Sequence, residues 1–203
     1  MENANLLLRE VLQAAPGNSE ALRLAVRLAA LPLLTRALMG WSRRELPDSP
    51  EQALPDGIRA ILLRQQALPK EVGTEQVDLA RDTVLSFPWH GERMVRAVRG
   101  IRAWQYDPLN HRAALYRPLG VAFLENGFHS GAVGVLRREG TLPARVVDLA
   151  PILQAGLRVE WRDGKALAVL ATGGGEVREE FAHPEYAVLW EAAHLLWAKG
   201  VSL

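Results

Sequence analysis

The segment from Leu119 to Leu149, LGVAFLENGFHSGAVGVLRREGTLPARVVDL, constrains the fold more than any other part of this chain. An apolar run ends at Asn126-Gly127, small residues then begin a helical pattern that ends at Gly140, and a second β-rich run follows. The pattern predicts a strand, a tight turn, a helix and a second strand, in a βαβ-like unit. The turn of such a unit lies at a helix N-terminus, where backbone N–H groups are free to bind an anion.

The residue types of this turn suit the approach of an anionic ligand. Gly127 permits a positive φ and a close approach of the ligand to the backbone. Gly131 keeps the first helical turn thin, while His129 and Ser130 add side-chain donors beside the positive end of the helix dipole. The turn is therefore the candidate site of this chain.

Length and composition describe an ordinary globular protein. The 203 residues can form one substantial core or two small, closely packed subdomains, and 49% are hydrophobic while 23% are charged. A formal net charge of +1 gives no overall attraction to nucleic acid or to an anionic membrane. The chain has no cysteine, which excludes disulfides, thiolate metal sites and cysteine nucleophiles.

The longest apolar stretch, Leu28 to Leu34, is much shorter than the roughly 20 residues that a membrane-spanning helix needs. The N-terminal residues also lack the basic region and long apolar region of a secretory signal. We therefore expect a cytoplasmic protein with no membrane partner.

The two halves of the chain differ in their predicted secondary structure. Helices are expected over Asn5–Ala14, from a Ser19 cap to Met39 with a kink at Pro32, from Ser49-Pro50 to before Pro69 with an interruption near Asp56-Gly57, and over Thr74–Leu85. Strands are expected over Leu119–Leu124, Ala144–Leu149, Leu157–Trp161 and Ala166–Leu170, then a glycine-rich linker at 172–175 and a helix from Pro184 to Lys199. These patterns predict an α+β fold, with a helical subdomain over 1–104 packed on a small mixed sheet in an α/β subdomain over 105–203, as one compact unit.

The helix expected over Glu92–Arg102 separates its residues sharply by character. One face carries Met94, Ala97, Val98 and Ile101, and the other carries Arg93, Arg96, Arg99 and Arg102. This Arg93–Arg102 face is either the solvated side of an amphipathic helix or a positive surface for phosphate, nucleic acid or an acidic partner. The sequence leaves both interpretations open.

The unit around Gly127 resembles the phosphate-binding box of the ParB/sulfiredoxin-like superfamily. In that box a strand leads into an acidic residue or Asn, then Gly-x-His/Arg-Arg, an alanine-rich helix, a glycine and a closing strand. Here Asn126-Gly127-Phe128-His129-Ser130 lies on the box, Gly140 ends the helix, and Leu142–Asp148 takes the place of the closing strand. The chain is also similar to bacterial families of unknown function with a Gly-x-His-Ser version of the box.

The resemblance implies a phosphate-bearing ligand, a nucleotide accompanied by Mg²⁺, bound at Asn126, Gly127, His129, Ser130 and Gly131. Ser130 stands where the superfamily usually has Arg, which removes the strongest phosphate ligand. We expect Arg112, Arg117 or the Arg93–Arg102 face to supply the missing cation.

Two activities of the superfamily are not expected. Sulfiredoxin activity needs a cysteine where this chain has Phe128, and no helix-turn-helix segment follows the box as partition-type CTP switching requires. Whether the chain catalyses any reaction stays open, because Glu191-x-x-His194 is only half of a di-iron pattern and no Gly-x-Ser-x-Gly elbow is present. The alternative is a non-enzymatic interaction module that meets a protein, a second copy or nucleic acid through the Arg93–Arg102 face or the C-terminal helix.

Overall fold

The computed structural model describes residues 3–39 and 46–203, and this part of the chain forms seven helices and eight strands. The helices are α1 (Leu6–Ala14), α2 (Ser19–Met39), α3 (Asp56–Arg64), α4 (Gly91–Gly100), α5 (Phe128–Arg137), α6 (Ala150–Gln154) and α7 (Pro184–Ala198). The strands are β1 (Lys70–Asp78), β2 (Thr83–Leu85), β3 (Arg112–Arg117), β4 (Val121–Asn126), β5 (Thr141–Asp148), β6 (Arg158–Arg162), β7 (Lys165–Thr172) and β8 (Gly175–Glu180). The expected α+β class is confirmed.

The strands form one mixed sheet and one antiparallel sheet. The mixed sheet has the order β1-β5-β3-β4-β2, in which β3 runs parallel to β5 and β2 parallel to β4. The other pairs are antiparallel, and so is the small sheet β6-β7-β8. Strand β4, the Gly127 turn, α5 and β5 follow one another as predicted. However, β4 and β5 run in opposite directions with β3 between them, so the unit is not a parallel βαβ crossover.

Strand β4 is buried on both faces because helices cover the mixed sheet on each side. Phe123 stacks on Tyr186 of α7, with ring centroids 6.4 Å apart. On the opposite face, Leu124 lies directly under Gly131 of α5. The helix α7 is buried along most of its length, with Tyr186 to Trp190, Ala192, Ala193 and Leu196 in the core. The apolar face of α7 is therefore buried mainly against other elements of this chain.

The helix expected over Thr74–Leu85 is wrong, because these residues form the end of β1, a turn and β2. Strand β1 is an edge strand whose residues are mostly exposed, so it lacks the alternation of buried and exposed positions that marks a strand in sequence. Its conformation depends on pairing with β5, from Lys70 opposite Asp148 to Asp78 opposite Thr141. The boundary expected at 104/105 therefore cuts through the mixed sheet.

Three local expectations in the helical half also change. Asn18, one residue before Ser19, caps α2 by accepting a hydrogen bond from the Ala21 N–H at 3.0 Å. Helix α2 continues through Pro32, which lies on its exposed side, where water can solvate the carbonyl that proline leaves without a donor. Ser49 accepts a hydrogen bond from the Gln52 N–H at 3.3 Å, but only a turn follows, and α3 begins at Asp56.

The glycine-rich segment expected as a linker is instead the hairpin turn between β7 and β8, with Thr172 paired to Gly175. The hairpin expected at Asp163-Gly164 is confirmed between β6 and β7, and the C-terminal helix is confirmed as α7. Among the described residues, no helix combines the length and apolar character that a membrane span requires.

Candidate functional site

The Gly127 turn joins the end of β4 to the beginning of α5. Gly127 has left-handed backbone angles, φ 73° and ψ 28°, and no side chain among the described residues caps the helix. The first backbone bond of the helix runs from the Gly131 N–H to the Gly127 carbonyl at 2.7 Å. Within the described part of the chain, the N–H groups of residues 128–130 have no acceptor, which is the condition for anion binding at a helix N-terminus.

His111 covers the glycine at this turn. The hairpin of β3 and β4 pairs Arg112 with Asn126, so His111, one residue before Arg112, comes to lie against Gly127. A Cβ atom on Gly127 would lie 2.4 Å from His111 Cδ2, so only glycine fits beneath the ring. The Trp104 ring packs against His111, with ring centroids 4.8 Å apart.

The Ser130 hydroxyl is fully engaged in holding this corner together. It lies 2.7 Å from His111 Nε2, accepts a hydrogen bond from Asn110 Nδ2 at 3.3 Å and donates to the Gly127 carbonyl at 3.1 Å. Its one proton and both of its lone pairs are therefore used. Ser130 fixes the shape of the turn and has no hydrogen-bonding capacity left for a ligand in this arrangement.

The tautomer of His111 argues against a serine nucleophile here. His111 Nδ1 accepts the Asp107 N–H at 2.9 Å, so the neutral ring carries its proton on Nε2 and donates it to Ser130. A general base would need the reverse, with Nε2 accepting the serine proton. Burial lowers the pKa of His111, against a smaller opposing effect of Asp107, and so keeps the ring neutral.

Helices α4 and α5 lie side by side and run in the same direction. At their N-terminal ends the His90 N–H donates to His129 Nε2 at 3.3 Å, and at their C-terminal ends the Arg137 guanidinium donates to the Arg102 carbonyl. Between these contacts, Met94 packs with Ala132 and Val133. The positive ends of two helix dipoles therefore lie next to each other, and an anion at this end would stabilise both.

Helix α4, like α5, begins without a cap from any side chain that the structure describes. The N–H groups of residues 91–93 have no acceptor among the residues described, so six unpaired donors lie at the shared end of the helix pair. Glu92 is the acidic residue of the first turn of α4, and its side chain is exposed.

Trp89, His90, Arg93 and His129 surround this shared end, and we call them the His129 cluster. Trp89 meets the His129 ring edge to face at 5.7 Å and carries the Arg93 guanidinium 5.0 Å from its ring centroid. The pKa of His129 is lowered, mainly by burial and to a smaller extent by the positive charge of Arg93 and by His90. Because the neutral ring accepts at Nε2, its Nδ1 carries a proton that a ligand oxygen could accept.

The structure brings five of the seven predicted ligand-binding residues together, namely Asn126, Gly127, His129, Ser130 and Gly131. Arg112 begins the neighbouring strand opposite Asn126, and its side chain is exposed. Arg117 lies at the other end of β3, where it forms a 2.6 Å ion pair with Glu75 and lines a separate groove near Trp197. The fold therefore does not bring Arg117 to the turn.

The Arg93–Arg102 face is exposed, as an amphipathic helix requires, and Met94 is buried beneath it. Val98, expected on the buried face, is half exposed, because α4 contacts α5 along a narrow strip only. Of the four arginines, Arg93 stands nearest the shared N-terminal end, and Arg99 lies in the last turn of α4.

Sequence reasoning missed His111, Trp89 and His90 as parts of the site. The register of a β-hairpin ending at Asn126-Gly127 could have revealed His111, since that register places residue 111 beside residue 127. No local pattern indicates Trp89 and His90, which reach the turn only because α4 packs on α5.

The described residues contain no group of three or more His, Asp or Glu side chains suited to a metal ion. Glu191, one member of the Glu-x-x-His pattern, accepts hydrogen bonds from Asn5 at 3.1 Å and from Trp161 at 3.3 Å and is paired with Arg9. It therefore ties α1 and β6 to α7.

The fold and site together define an α+β protein in which two parallel helices meet with uncapped N-terminal ends beside the Gly127 turn of a mixed sheet. Residues 10–202 match the family described as a family of unknown function (DUF6710), and the chain belongs to this family. Searches of the curated proteins and of the solved structures find no match.

Proposed function

We propose that this protein binds a phosphate-bearing ligand at the Gly127 turn, and that the ligand is a nucleotide. The observation that carries the proposal is the parallel packing of α4 and α5, which places six unpaired N–H groups and two helix dipoles at one end. The resemblance of residues 119–149 to a ParB/sulfiredoxin-like box supports the choice of a nucleotide.

Within this proposal the cation missing at Ser130 is supplied by Arg93. It lies on the His129 cluster, and its positive charge already acts on His129. Guanidinium groups bind phosphate with two parallel hydrogen bonds, so Arg93 and His129 Nδ1 would add to the capture by the backbone. Arg112 offers a second cation beside Asn126. Binding is proposed without a chemical step.

The test compares nucleotide affinity in matched arginine variants. We expect ADP or ATP, with or without Mg²⁺, to raise the melting temperature of the wild-type protein, since a ligand at 100 times its Kd adds about 2.7 kcal/mol to the free energy of unfolding. Arg93→Gln should weaken binding about tenfold, a loss of roughly 1.4 kcal/mol. Arg99→Gln is the control on the same helix and should leave the affinity unchanged. Calorimetric titration measures each Kd.

The interaction-module alternative gives a different result in the same variants. Arg96 and Arg99 are exposed and have no ion pair with any described residue. If the helix face binds duplex DNA, Arg96→Gln and Arg99→Gln would weaken DNA binding and reduce its salt dependence by about one charge each. That outcome, with no response to nucleotides, would overturn nucleotide binding at the turn.

A further inference from the structure

Helix α2 carries a row of leucines that stay exposed in the part of the chain that the structure describes. Leu24, Leu28 and Leu31 are 56%, 45% and 41% exposed, and their spacing of four and three residues places them on one face of the helix. The opposite face supplies Leu22, Val26 and Leu33 to the core. We call the exposed row the leucine stripe. Single exposed leucines are common, but three in a row form a contiguous apolar surface.

An arginine-rich groove of about 600 Å³ runs beside the leucine stripe, between α2 and the turn that joins β1 to β2. Leu24 lines both the stripe and the groove. Four arginines line the groove against only two carboxylates, Glu20 and Asp82; the arginines are Arg23, Arg27, Arg81 and Arg138. The groove therefore carries excess positive charge next to an apolar row.

Two of the four arginines have a local partner. Arg23 lies 3.9 Å from Asp82, and Arg138 donates to the Ala80 carbonyl at 3.3 Å. Arg27 and Arg81 have no carboxylate within ion-pair distance in the part of the chain that the structure describes. Arg27 is nevertheless partly buried, so its charge has lost some of its hydration without gaining a counterion.

We propose that the leucine stripe and the arginine-rich groove form one docking surface for an acidic amphipathic helix of a partner protein. The apolar side of such a helix would cover Leu24, Leu28 and Leu31, in the manner of a helix laid in a groove. Its carboxylates would pair with Arg27 and Arg81. An acidic amphipathic helix matches both features of the surface, because its carboxylates complement the arginines and its apolar side complements the leucines.

Other occupants fit the surface less well. In a symmetric dimer the same patch meets itself across the two-fold axis, which would bring together two surfaces that both carry excess positive charge. A membrane surface is flat and anionic, whereas this surface is a groove that also holds Glu20 and Asp82. A small phosphate compound would leave the leucine stripe uncovered.

This inference is independent of the nucleotide site. Gly120, which lines the groove, precedes the first residue of β4, and Gly127 follows its last residue. The two surfaces therefore lie toward opposite ends of that strand, and we expect variants of one surface to leave binding at the other unchanged.

The experiment uses two synthetic helical peptides with leucines at positions i, i+4 and i+7, one flanked by glutamates and the other by lysines. Fluorescence anisotropy measures their affinity for the full-length protein. We expect the glutamate peptide to bind at least about tenfold more tightly than the lysine peptide. The double variant Arg27→Glu/Arg81→Glu should reverse this preference, and Leu24→Gln/Leu28→Gln should weaken the binding of both peptides.

Leu63→Gln/Arg64→Glu is the matched control, since both side chains are exposed on α3, outside the groove, and it should leave both affinities unchanged. Equal or undetectable binding of the two peptides to the wild-type protein would overturn the proposal. Two further results would also overturn it: a dimer seen in sedimentation equilibrium, or binding to phosphatidylserine vesicles, if Leu24→Gln/Leu28→Gln abolishes it. Either result would assign the leucine stripe to another occupant.

Discussion

At the scale of single residues, Gly127 shows how one position holds the candidate site in shape. The residue combines a left-handed φ with the contact of His111 on the side where a Cβ atom would project. Any other amino acid at this position would both strain the backbone and bring its Cβ atom against His111. The turn therefore depends on glycine for steric reasons, independently of what it binds.

We expect Gly127→Ala to lower the free energy of unfolding by about 2 to 4 kcal/mol, because alanine strains the backbone and its methyl group clashes with His111. Gly17→Ala is the control, since Gly17 has a permitted φ and open space around its Cα, and it should change stability by less than about 0.5 kcal/mol. Urea unfolding measures both. Equal effects would show that His111 does not restrict this turn.

The lowered pKa values of His111 and His129 make stability depend on pH. The unfolded chain takes up these protons near pH 6.5, whereas the folded chain takes them up only at lower pH. The contribution of the two neutral histidines to stability is therefore fully present above about pH 7 and is lost as the pH falls below about 6.5. Protonated His111 would also place an N–H against the Asp107 N–H.

Urea unfolding at about pH 7 and about pH 5.5 should therefore show a loss of stability in the wild-type protein. His111→Gln keeps a donor for Ser130 but does not titrate, so it should lose less stability between the two pH values than the wild-type protein. The double variant His111→Gln/His129→Gln should lose less than His111→Gln. An unchanged loss in both variants would assign the pH dependence to other groups.

At the scale of secondary-structure elements, helix α7 holds the other elements together through Glu191. This carboxylate accepts from Asn5 just before α1 and from Trp161 of β6, and it pairs with Arg9 of α1. Removing it leaves the indole N–H of Trp161 without this acceptor. A partly buried carboxylate that serves three donors contributes more to stability than an exposed ion pair.

We expect Glu191→Ala to lower the free energy of unfolding by about 2 kcal/mol, because three donors lose their acceptor. Glu185, also on α7, is about as buried as Glu191, but among the described residues its one ion pair is with the exposed Arg36, so Glu185→Ala should cost less than about 1 kcal/mol. Chemical denaturation of both variants checks the difference. A larger loss for Glu185→Ala would contradict the structural role of Glu191.

Element-scale expectations succeeded where the local pattern and the tertiary contacts agree. The Asp163-Gly164 hairpin and the helices α4, α5 and α7 carry strong signals in their own residues. Strand β1 failed because its partner β5 lies more than sixty residues further along the chain, and that partner determines its conformation.

At the scale of the whole molecule, the mixed sheet joins both halves of the chain. Strands β1 and β2 from the first half pair with β5 and β4 from the second, and α2 packs on α7. We therefore expect the fragments 1–104 and 105–203, expressed separately, to show no cooperative thermal transition, whereas the intact chain unfolds in one step. Circular dichroism measures this. Cooperative unfolding of either fragment alone would show that it is an independent domain.

The sequence by itself determined the α+β class, the left-handed turn at Gly127 and the helix that follows it, because hydrophobic periodicity and glycine act locally. The tertiary structure decided the direction of β5 relative to β4, the engagement of Ser130 by His111 and the placing of Arg117 away from the turn. It also placed α4 beside α5, which supplies the His129 cluster and the second helix dipole. These features depend on the packing of segments far apart in the chain, and local residue patterns do not encode that packing.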